Sequence, residues 1–171
     1  SAWRRHANVF ESSAVGRLFD AAAFFVFGLE KAAYEGEGPM MLESIAHDID
    51  AVIELPLACD AEGVLRSDWA PLLTMLRDKS IEPAKRAGIF HASLAGAIGA
   101  QSQLIARAHS FDAIGLTGGV FQNKKLSELV IARLEEKGFS AYLPKLAPAN
   151  DGGLAFGQIV EAAALMRDDT I

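Results

Sequence analysis

The residues best suited to bind a ligand are two adjacent glycines, Gly118 and Gly119, which follow the apolar run from Phe111 to Leu116. This run is typical of a buried strand, and residues Val120 to Lys137 have the apolar spacing of an amphipathic helix. A strand, a glycine turn and a helix start leave backbone N–H groups uncovered, and such groups bind anions, usually phosphates. Asn123 lies one turn into the predicted helix, where its amide would be free to contact a ligand. The glycine pair is equally compatible with a plain tight turn.

Two aspartates are further candidates. Asp151 stands at the start of the last predicted helix, which runs to about Met166, and a carboxylate is favoured at a helix start. Asp20 lies inside an otherwise apolar helix that Ser12 or Ser13 could cap and that Gly28 ends. From the residues alone, Asp20 is either a ligand-binding group or a solvent-facing position.

Histidine and cysteine offer little catalytic chemistry. The four histidines form no H-x-x-x-H pair, and His91, on a long predicted helix, is interpreted as structural. The single cysteine, Cys59, has no histidine near it in sequence and is interpreted as a buried or half-exposed hairpin residue. One cysteine excludes an internal disulfide and fits a cytoplasmic protein.

Composition narrows the class of protein. The chain has 171 residues, 51% of them hydrophobic, which is enough for one domain with a core and excludes disorder. A net charge of −6 argues against a nucleic-acid surface. No apolar run reaches the roughly 18 residues of a membrane span, and no signal peptide is recognisable.

The remaining segments alternate between strands and helices. We predict a helix from Pro39 to about His47 and a hairpin of residues 52–57 and 63–66, turned at residues 60–63. A helix from Asp68 to about Asp78 and a long one from Glu82 to about His109 follow. A strand from Phe139 to Leu143 precedes the last helix. This alternation predicts a mixed α/β fold with helices packed on a sheet.

Several motifs together resemble one family. TGGVFQN (residues 117–123) and PANDGGLAFGQ (148–158) resemble the C-terminal end of the hydrogenase maturation carbamoyltransferases, HypF. SSAVGRLFDA (12–21), YEGE (34–37), LRSDWAPL (65–72) and FHASLA (90–95) resemble further segments of that family, in the same order. The alternatives are a tRNA threonylcarbamoyl-transfer protein, an antibiotic O-carbamoyltransferase, or a non-catalytic nucleotide-binding or interaction module.

The resemblance implies a fold and a set of site residues. Residues 1–171 would be a single domain, the second lobe of an actin-like ATPase (ribonuclease H-like) domain. Asp20 would hold the ribose of ATP or carbamoyl-adenylate, and the loop glycine Gly36 is favoured over Gly38 as a nucleotide contact. Gly118, Gly119 and Asn123 would hold the rest of the adenylate. Asp151 would bind a divalent metal, either iron, zinc or magnesium, shared with a first lobe that supplies an H-x-x-x-H pair.

The resemblance also implies a reaction. Carbamoyl phosphate and ATP would give carbamoyl-adenylate, and the carbamoyl group would pass to the C-terminal cysteine of a HypE-type partner protein. The product thiocarbamate is the precursor of the cyanide ligands of nickel–iron hydrogenase. This chain lacks the first lobe, so it would be a fragment that is inactive alone, and no catalytic base or nucleophile is assignable in it.

Overall fold

The computed structural model describes residue 5 and residues 12–168. Within residues 12–168, helices alternate with two short pairs of strands and two 3₁₀ turns. The helices are α1 (Val15–Phe27), α2 (Glu37–Ile45), α3 (Ala70–Arg77), α4 (Pro83–Ala108), α5 (Lys124–Glu136) and α6 (Leu154–Asp168). The strands are β1 (Leu57–Cys59), β2 (Leu65–Ser67), β3 (Ile114–Gly115) and β4 (Ala141–Tyr142), and the 3₁₀ turns are Gly119–Gln122 and Asp151–Gly153. The predicted mixed α/β class is confirmed.

Helix α1 ends where the sequence predicts but begins later. Gly28 adopts the left-handed conformation at the C-cap, and its N–H donates to Phe24 O. The predicted serine cap is wrong, because the N-cap is Ala14 and no side chain caps the helix. The Ser12 hydroxyl instead accepts from the N–H of Ala14, one step before the helix.

Helix α2 begins at Glu37, two residues before the predicted start at Pro39. Its N-cap is Gly36, whose φ of 87° is a left-handed backbone conformation. Residues with a Cβ are strained in this conformation. Gly38 is buried against α1, since a Cβ there would lie 2.9 Å from the Cβ of Ala23. The start of α2 is therefore packed directly on α1.

The hairpin is shorter than predicted. β1 and β2 pair antiparallel with Leu57 opposite Ser67, and residues 52–56, predicted as strand, precede the ladder. The turn is held by Asp60, whose carboxylate accepts from the N–H of Val64 and pairs with Arg66. Cys59 is exposed rather than buried or half-exposed.

Helix α4 is the centre of the core. Residues 86–95 of this helix are all buried, and α1, α2, α3 and α5 all contact it. Phe90 meets Phe19 of α1 edge-on, with ring centroids 4.9 Å apart. Arg86 is buried and donates from Nη1 to Phe25 O and Leu76 O, which ties the ends of α1 and α3 to α4.

Strands β3 and β4 pair in parallel, and α5 connects them in the sequence. Ile114 is opposite Ala141 and Gly115 is opposite Tyr142, so each strand is shorter than the apolar run that predicted it. Helix α5 begins at Lys124 rather than at Val120, because Gly119–Gln122 forms a separate 3₁₀ turn. Among residues 12–168, the β3–β4 pair and the β1–β2 hairpin are two separate two-stranded sheets rather than one sheet.

Helix α6 differs from the other five. The predicted start at Asp151 is a 3₁₀ turn, and the α-helix begins at Leu154. Every residue from Leu154 to Met166 is exposed. None of the helices among the described residues combines the length and apolar character that crossing a bilayer requires.

Candidate functional site

A cavity of about 740 Å³ lies between α1 and the loop that leads into α2. Two of the predicted nucleotide-binding residues, Asp20 and Gly36, line it together. Asp20 extends from α1 toward the start of α2, where its Oδ1 lies 3.7 Å from the point that a Cβ on Gly38 would occupy. The remaining wall is formed by Arg17, Phe24, Leu29, Glu30, Ala32, Tyr34 and Glu35.

The charges of this cavity favour hydroxyl groups over a bare phosphate. Asp20 pairs with Arg17 at 3.0 Å, and its side chain remains 42% exposed, so the carboxylate is available to a ligand. Glu30 and Glu35 add two further carboxylates against that single guanidinium. Carboxylate oxygens bind the adjacent hydroxyls of a ribose well but repel phosphate oxygens.

Sequence reasoning missed Tyr34 and Arg17 as site residues. Tyr34 lines the cavity and is 55% exposed, so its aromatic ring is accessible to a ligand. Both residues lie inside motifs that carry the family resemblance, YEGE and SSAVGRLFDA. The motifs therefore contained both residues, although neither residue type nor spacing indicated a chemical role for them.

Gly118, Gly119 and Asp151 form a second group, outside the walls of the cavity. The N–H of Gly118 donates to Ala149 O at 2.6 Å, and Gly119 approaches the Cβ of Asn150. The φ of Gly118 is 108° with ψ of 151°, a region essentially restricted to glycine. Among the hydrogen bonds of residues 12–168, none uses the N–H of Gly119. The turn thus keeps a backbone donor near residues 149–150, which precede the exposed Asp151.

Asn123 does not have the free amide that was predicted. It is the N-cap of α5, with its Oδ1 accepting from the N–H of Leu126 at 2.8 Å. Its Nδ2 hydrogen-bonds to Nε2 of His91 at 3.1 Å, and the residue is only 7% exposed. Both ends of the amide are therefore engaged inside the protein. The expectation failed because the 3₁₀ turn moves the start of the α-helix from residue 120 to residue 124.

His91 supports Asn123 from α4. It is fully buried, and its Nδ1 lies 2.8 Å from Ala87 O, so Nδ1 carries the proton and Nε2 accepts from Asn123. Burial lowers the pKa of His91, which keeps the ring neutral as this arrangement requires. The ring also contacts Phe19, the neighbour of Asp20 in α1. The structural interpretation of His91 agrees with these contacts.

A carboxylate of the protein already occupies the start of α5. Glu43 of α2 accepts from the N–H of Lys124 at 2.7 Å and from the N–H of Lys125 at 3.3 Å. The Lys125 ammonium pairs with Asp48, and this hydrogen bond lowers the pKa of Asp48. An anion site at the first turn of α5, as the glycine turn suggested, is therefore filled internally. Sequence reasoning missed Glu43 because it lies 81 residues from its partner.

The described residues alone do not fit a metal ion. Among them, no three histidine, cysteine, aspartate or glutamate side chains are grouped in a way that could hold one. Asp151 is exposed and offers a single carboxylate, whereas transition metals and magnesium need more ligands than this. The predicted metal site would require ligands from outside the described residues.

The match to a protein family defines the class of protein. Residues 1–158 match the family model described as "Carbamoyltransferase, Kae1-like Domain, second subdomain". Because the match covers most of the chain, the chain belongs to this family.

The relatives narrow the class further. The chain is 40% identical over 159 residues to the carbamoyltransferase HypF of Rhodobacter capsulatus, covering 92% of this chain and 20% of that protein. It is 33% identical to a HypF homologue of Cupriavidus necator, covering 93% of this chain and 42% of the relative. The chain is thus similar to carbamoyltransferases of the HypF type and spans a fifth to two-fifths of their length.

Solved structures agree with the fold. A full-length HypF crystallised in the phosphate- and nucleotide-bound form matches with a TM-score of 0.85 and 28% identity, covering 96% of this chain and 22% of that one. HypF of T. kodakarensis matches with a TM-score of 0.80 and 24% identity over 98% of this chain and 22% of that one, which supports the fold alone.

Proposed function

We propose that this chain is the nucleotide-binding lobe of a HypF-type carbamoyltransferase, which acts in the cytoplasm and makes the thiocarbamate precursor of the cyanide ligands of nickel–iron hydrogenase. The observation that carries the proposal is the cavity in which Asp20, Gly36 and Tyr34 meet. Family membership and a structural relative that binds nucleotide support the same conclusion.

The groups in the cavity suit the nucleoside part of ATP or carbamoyl-adenylate. The Asp20 carboxylate can accept hydrogen bonds from both ribose hydroxyls, with Arg17 holding it in place at 3.0 Å. Gly36 allows a close approach at the N-terminus of α2, and the exposed face of Tyr34 can stack on the base. The carboxylates of Glu30 and Glu35 would direct the phosphates away from this cavity.

The phosphates would then lie toward the Gly118–Gly119 turn. Helix α1, which forms part of the cavity wall, also contacts the 3₁₀ turn that begins at Gly119. The N–H of Gly119 can donate to a phosphate oxygen. Asn123 would act indirectly, by holding the turn against α5, since its own amide is engaged.

Asp151 fits the proposal only together with a cation. A lone carboxylate beside a phosphate is repulsive, and a divalent metal between them would remove that repulsion. The ion, iron, zinc or magnesium, would be shared with a first lobe, and when bound it would polarise the oxygen of the transferring group. Carbamoyl phosphate as substrate and a HypE-type protein with a C-terminal cysteine as acceptor complete the proposal.

The first test measures nucleotide binding by calorimetry. We expect Asp20→Asn to weaken AMP and ATP binding about 10- to 100-fold, because about 1.5–3 kcal/mol of charged hydrogen bonding to the ribose is lost. The matched control is Asp112→Asn, which removes an exposed carboxylate outside the cavity. Equal affinities for the two variants would contradict the ribose assignment.

The second test measures the reaction. The chain alone should give no carbamoyl-phosphate-dependent ATP–pyrophosphate exchange. A fusion in which this chain replaces the matching fifth of the Rhodobacter capsulatus relative should restore exchange, and Asp20→Asn should reduce it in the fusion. Exchange by the isolated chain would refute the view that half of the site lies elsewhere.

A further inference from the structure

His91 is a buried polar side chain to which the proposed nucleotide chemistry assigns no part. It lies on α4 and has no exposed surface. Its ring contacts Phe19 of α1 edge-on, with centroids 5.3 Å apart, and its Nε2 lies 3.1 Å from Nδ2 of Asn123. Phe19 is the neighbour of Asp20, and Asn123 comes four residues after Gly119. His91 therefore contacts both parts of the chain that carry the proposed ligand contacts.

The hydrogen bonds around His91 allow only one arrangement of protons. The N–H of Leu126 donates to Asn123, so the accepting atom of the amide is Oδ1 and Nδ2 faces the imidazole. An amide nitrogen only donates, so Nε2 of His91 carries no proton and accepts. Nδ1 then carries the ring proton and donates it to Ala87 O at 2.8 Å. This series of bonds joins the backbone of α4 to the backbone of α5 through one imidazole and one amide.

Asn123 connects this series of bonds to the glycine turn. Its N–H donates to Val120 O at 3.1 Å and ends the 3₁₀ turn Gly119–Gln122, while its side chain caps α5. Within the turn, Gly118 O accepts from the N–H three residues later at 3.0 Å. A turn of four residues with these bonds has little freedom once Asn123 is fixed. The orientation of the Gly119 N–H thus depends on Asn123.

We propose that His91 is a positioning residue for the phosphate end of the nucleotide site. By accepting from Asn123, it fixes the residue that ends the 3₁₀ turn, and by packing on Phe19, it fixes that residue relative to α1. Groups that bind a ligand need such buried support if they are to keep their geometry. This inference rests on the proposed function and deepens it, because it names what holds the phosphate donor in register with the Asp20 carboxylate.

The proposal distinguishes ligands by whether they carry phosphates. Adenosine would use only the cavity, where Asp20 and Tyr34 lie, whereas the phosphates of ATP would reach the Gly119 N–H. Loss of the acceptor at His91 should therefore weaken ATP binding and spare adenosine binding. A histidine that merely fills the core would instead lower the stability of the protein and leave the preference between the two ligands unchanged.

The first test compares adenosine and ATP, the latter with magnesium, by calorimetry on the full chain. His91→Leu keeps an apolar side chain against Phe19 but offers no acceptor, whereas His91→Gln offers an amide oxygen. We expect His91→Leu to weaken ATP binding at least about tenfold and adenosine binding less than about threefold, because only ATP loses a hydrogen bond to a charged group. His91→Gln should bind both ligands within about threefold of the unsubstituted chain.

The matched control is His109→Leu, which removes an exposed histidine from the C-cap of the same helix. This substitution should leave both affinities unchanged. A second measurement needs no variant. Heteronuclear NMR of the imidazole nitrogens in the unsubstituted chain should show the His91 proton on Nδ1, and ATP should shift the Gly119 amide resonance more than adenosine does.

Equal losses of ATP and adenosine binding in His91→Leu would overturn the proposal, because the effect would then be general. ATP affinity as low in His91→Gln as in His91→Leu would overturn it too, since restoring an acceptor would not restore binding. A proton on Nε2 of His91 in the unsubstituted chain would contradict it even if no variant folds. An unsubstituted chain that binds neither ligand would refute the proposed function and this inference together, whereas the other outcomes refute the positioning role alone.

Discussion

Replacing Asn123 by alanine tests whether this residue organises the turn or merely lies beside it. Asn123 makes two buried side-chain hydrogen bonds, one to the N–H of Leu126 and one to Nε2 of His91. Alanine removes both partners at once. The N–H at the start of α5 and the imidazole nitrogen would then be left without partners inside the core.

The expected cost follows from these two bonds. Loss of an N-cap side chain costs about 1 kcal/mol. A buried acceptor left unsatisfied, here Nε2 of His91, costs about 1–3 kcal/mol more. We therefore expect Asn123→Ala to lower the free energy of unfolding by about 2–4 kcal/mol, which is a large share of the stability of a domain of this size.

The chain contains a matched control in Asn150. This residue is also an N-cap, and its side chain accepts from the N–H of Gly152 at 3.0 Å, but the bond is exposed and has no buried second partner. Asn150→Ala should therefore cost about 1 kcal/mol or less. Urea denaturation of both variants, followed by circular dichroism at equal protein concentration, measures the difference.

An equal loss for both variants, near 1 kcal/mol, would refute the reasoning, because the bond to His91 would then contribute nothing. A double-mutant cycle of Asn123→Ala with His91→Ala measures the coupling free energy between the two side chains. Coupling of at least about 1 kcal/mol is expected between residues that share a buried hydrogen bond. Additive losses would mean that the two side chains act independently.

Three further predictions follow from single contacts. The free energy of unfolding should fall as the pH drops below 6.5, the ordinary pKa of histidine. The reason is that His91 is protonated in the unfolded chain, whereas its lowered pKa keeps it neutral in the folded protein. His91→Gln should flatten this part of the pH dependence in urea denaturation. Gly88→Ala should destabilise the protein by about 1–3 kcal/mol, since its Cβ would lie 2.5 Å from the backbone oxygen of His47. Gly99→Ala should be near neutral in thermal melts, since its Cβ would come closest to the flexible Lys137 side chain, 2.9 Å from Cε. Glu43→Gln should cost about 0.3–1 kcal/mol by removing the charge at the start of α5, and added salt should shrink the difference.

The elements predicted best are those whose signals are local. Helix α4 was predicted from Glu82 to about His109 and is found at Pro83–Ala108, because a proline start and a continuous apolar pattern mark it. The left-handed glycine that ends α1 was also predicted. Strand lengths were wrong, since apolar runs such as residues 111–116 extend beyond the two residues that form the ladder. Pairing depends on the other strand, which a local pattern does not contain.

The roles of the site residues stay predictions, but the structure shows where these residues lie. Asp20 and Gly36 line one cavity, whereas Gly118, Gly119, Asn123 and Asp151 do not line it. The structure corrects Asn123 from a free ligand contact to an engaged cap, because its partners lie on other helices or depend on where α5 begins. That Gly118, Gly119 and Asp151 bind the same ligand as Asp20 remains a prediction.

Helix α2 has one end at the cavity and the other at α5. Gly36, at its start, lines the cavity, and Glu43, near its end, holds the first two amides of α5. Nine residues make a helix of about 13 Å, which joins the cavity to the start of α5. The backbone amide NMR resonances of Lys124 and Lys125 consequently report on the position of α2. They should shift when a ligand binds in the cavity, even though that ligand does not contact α5.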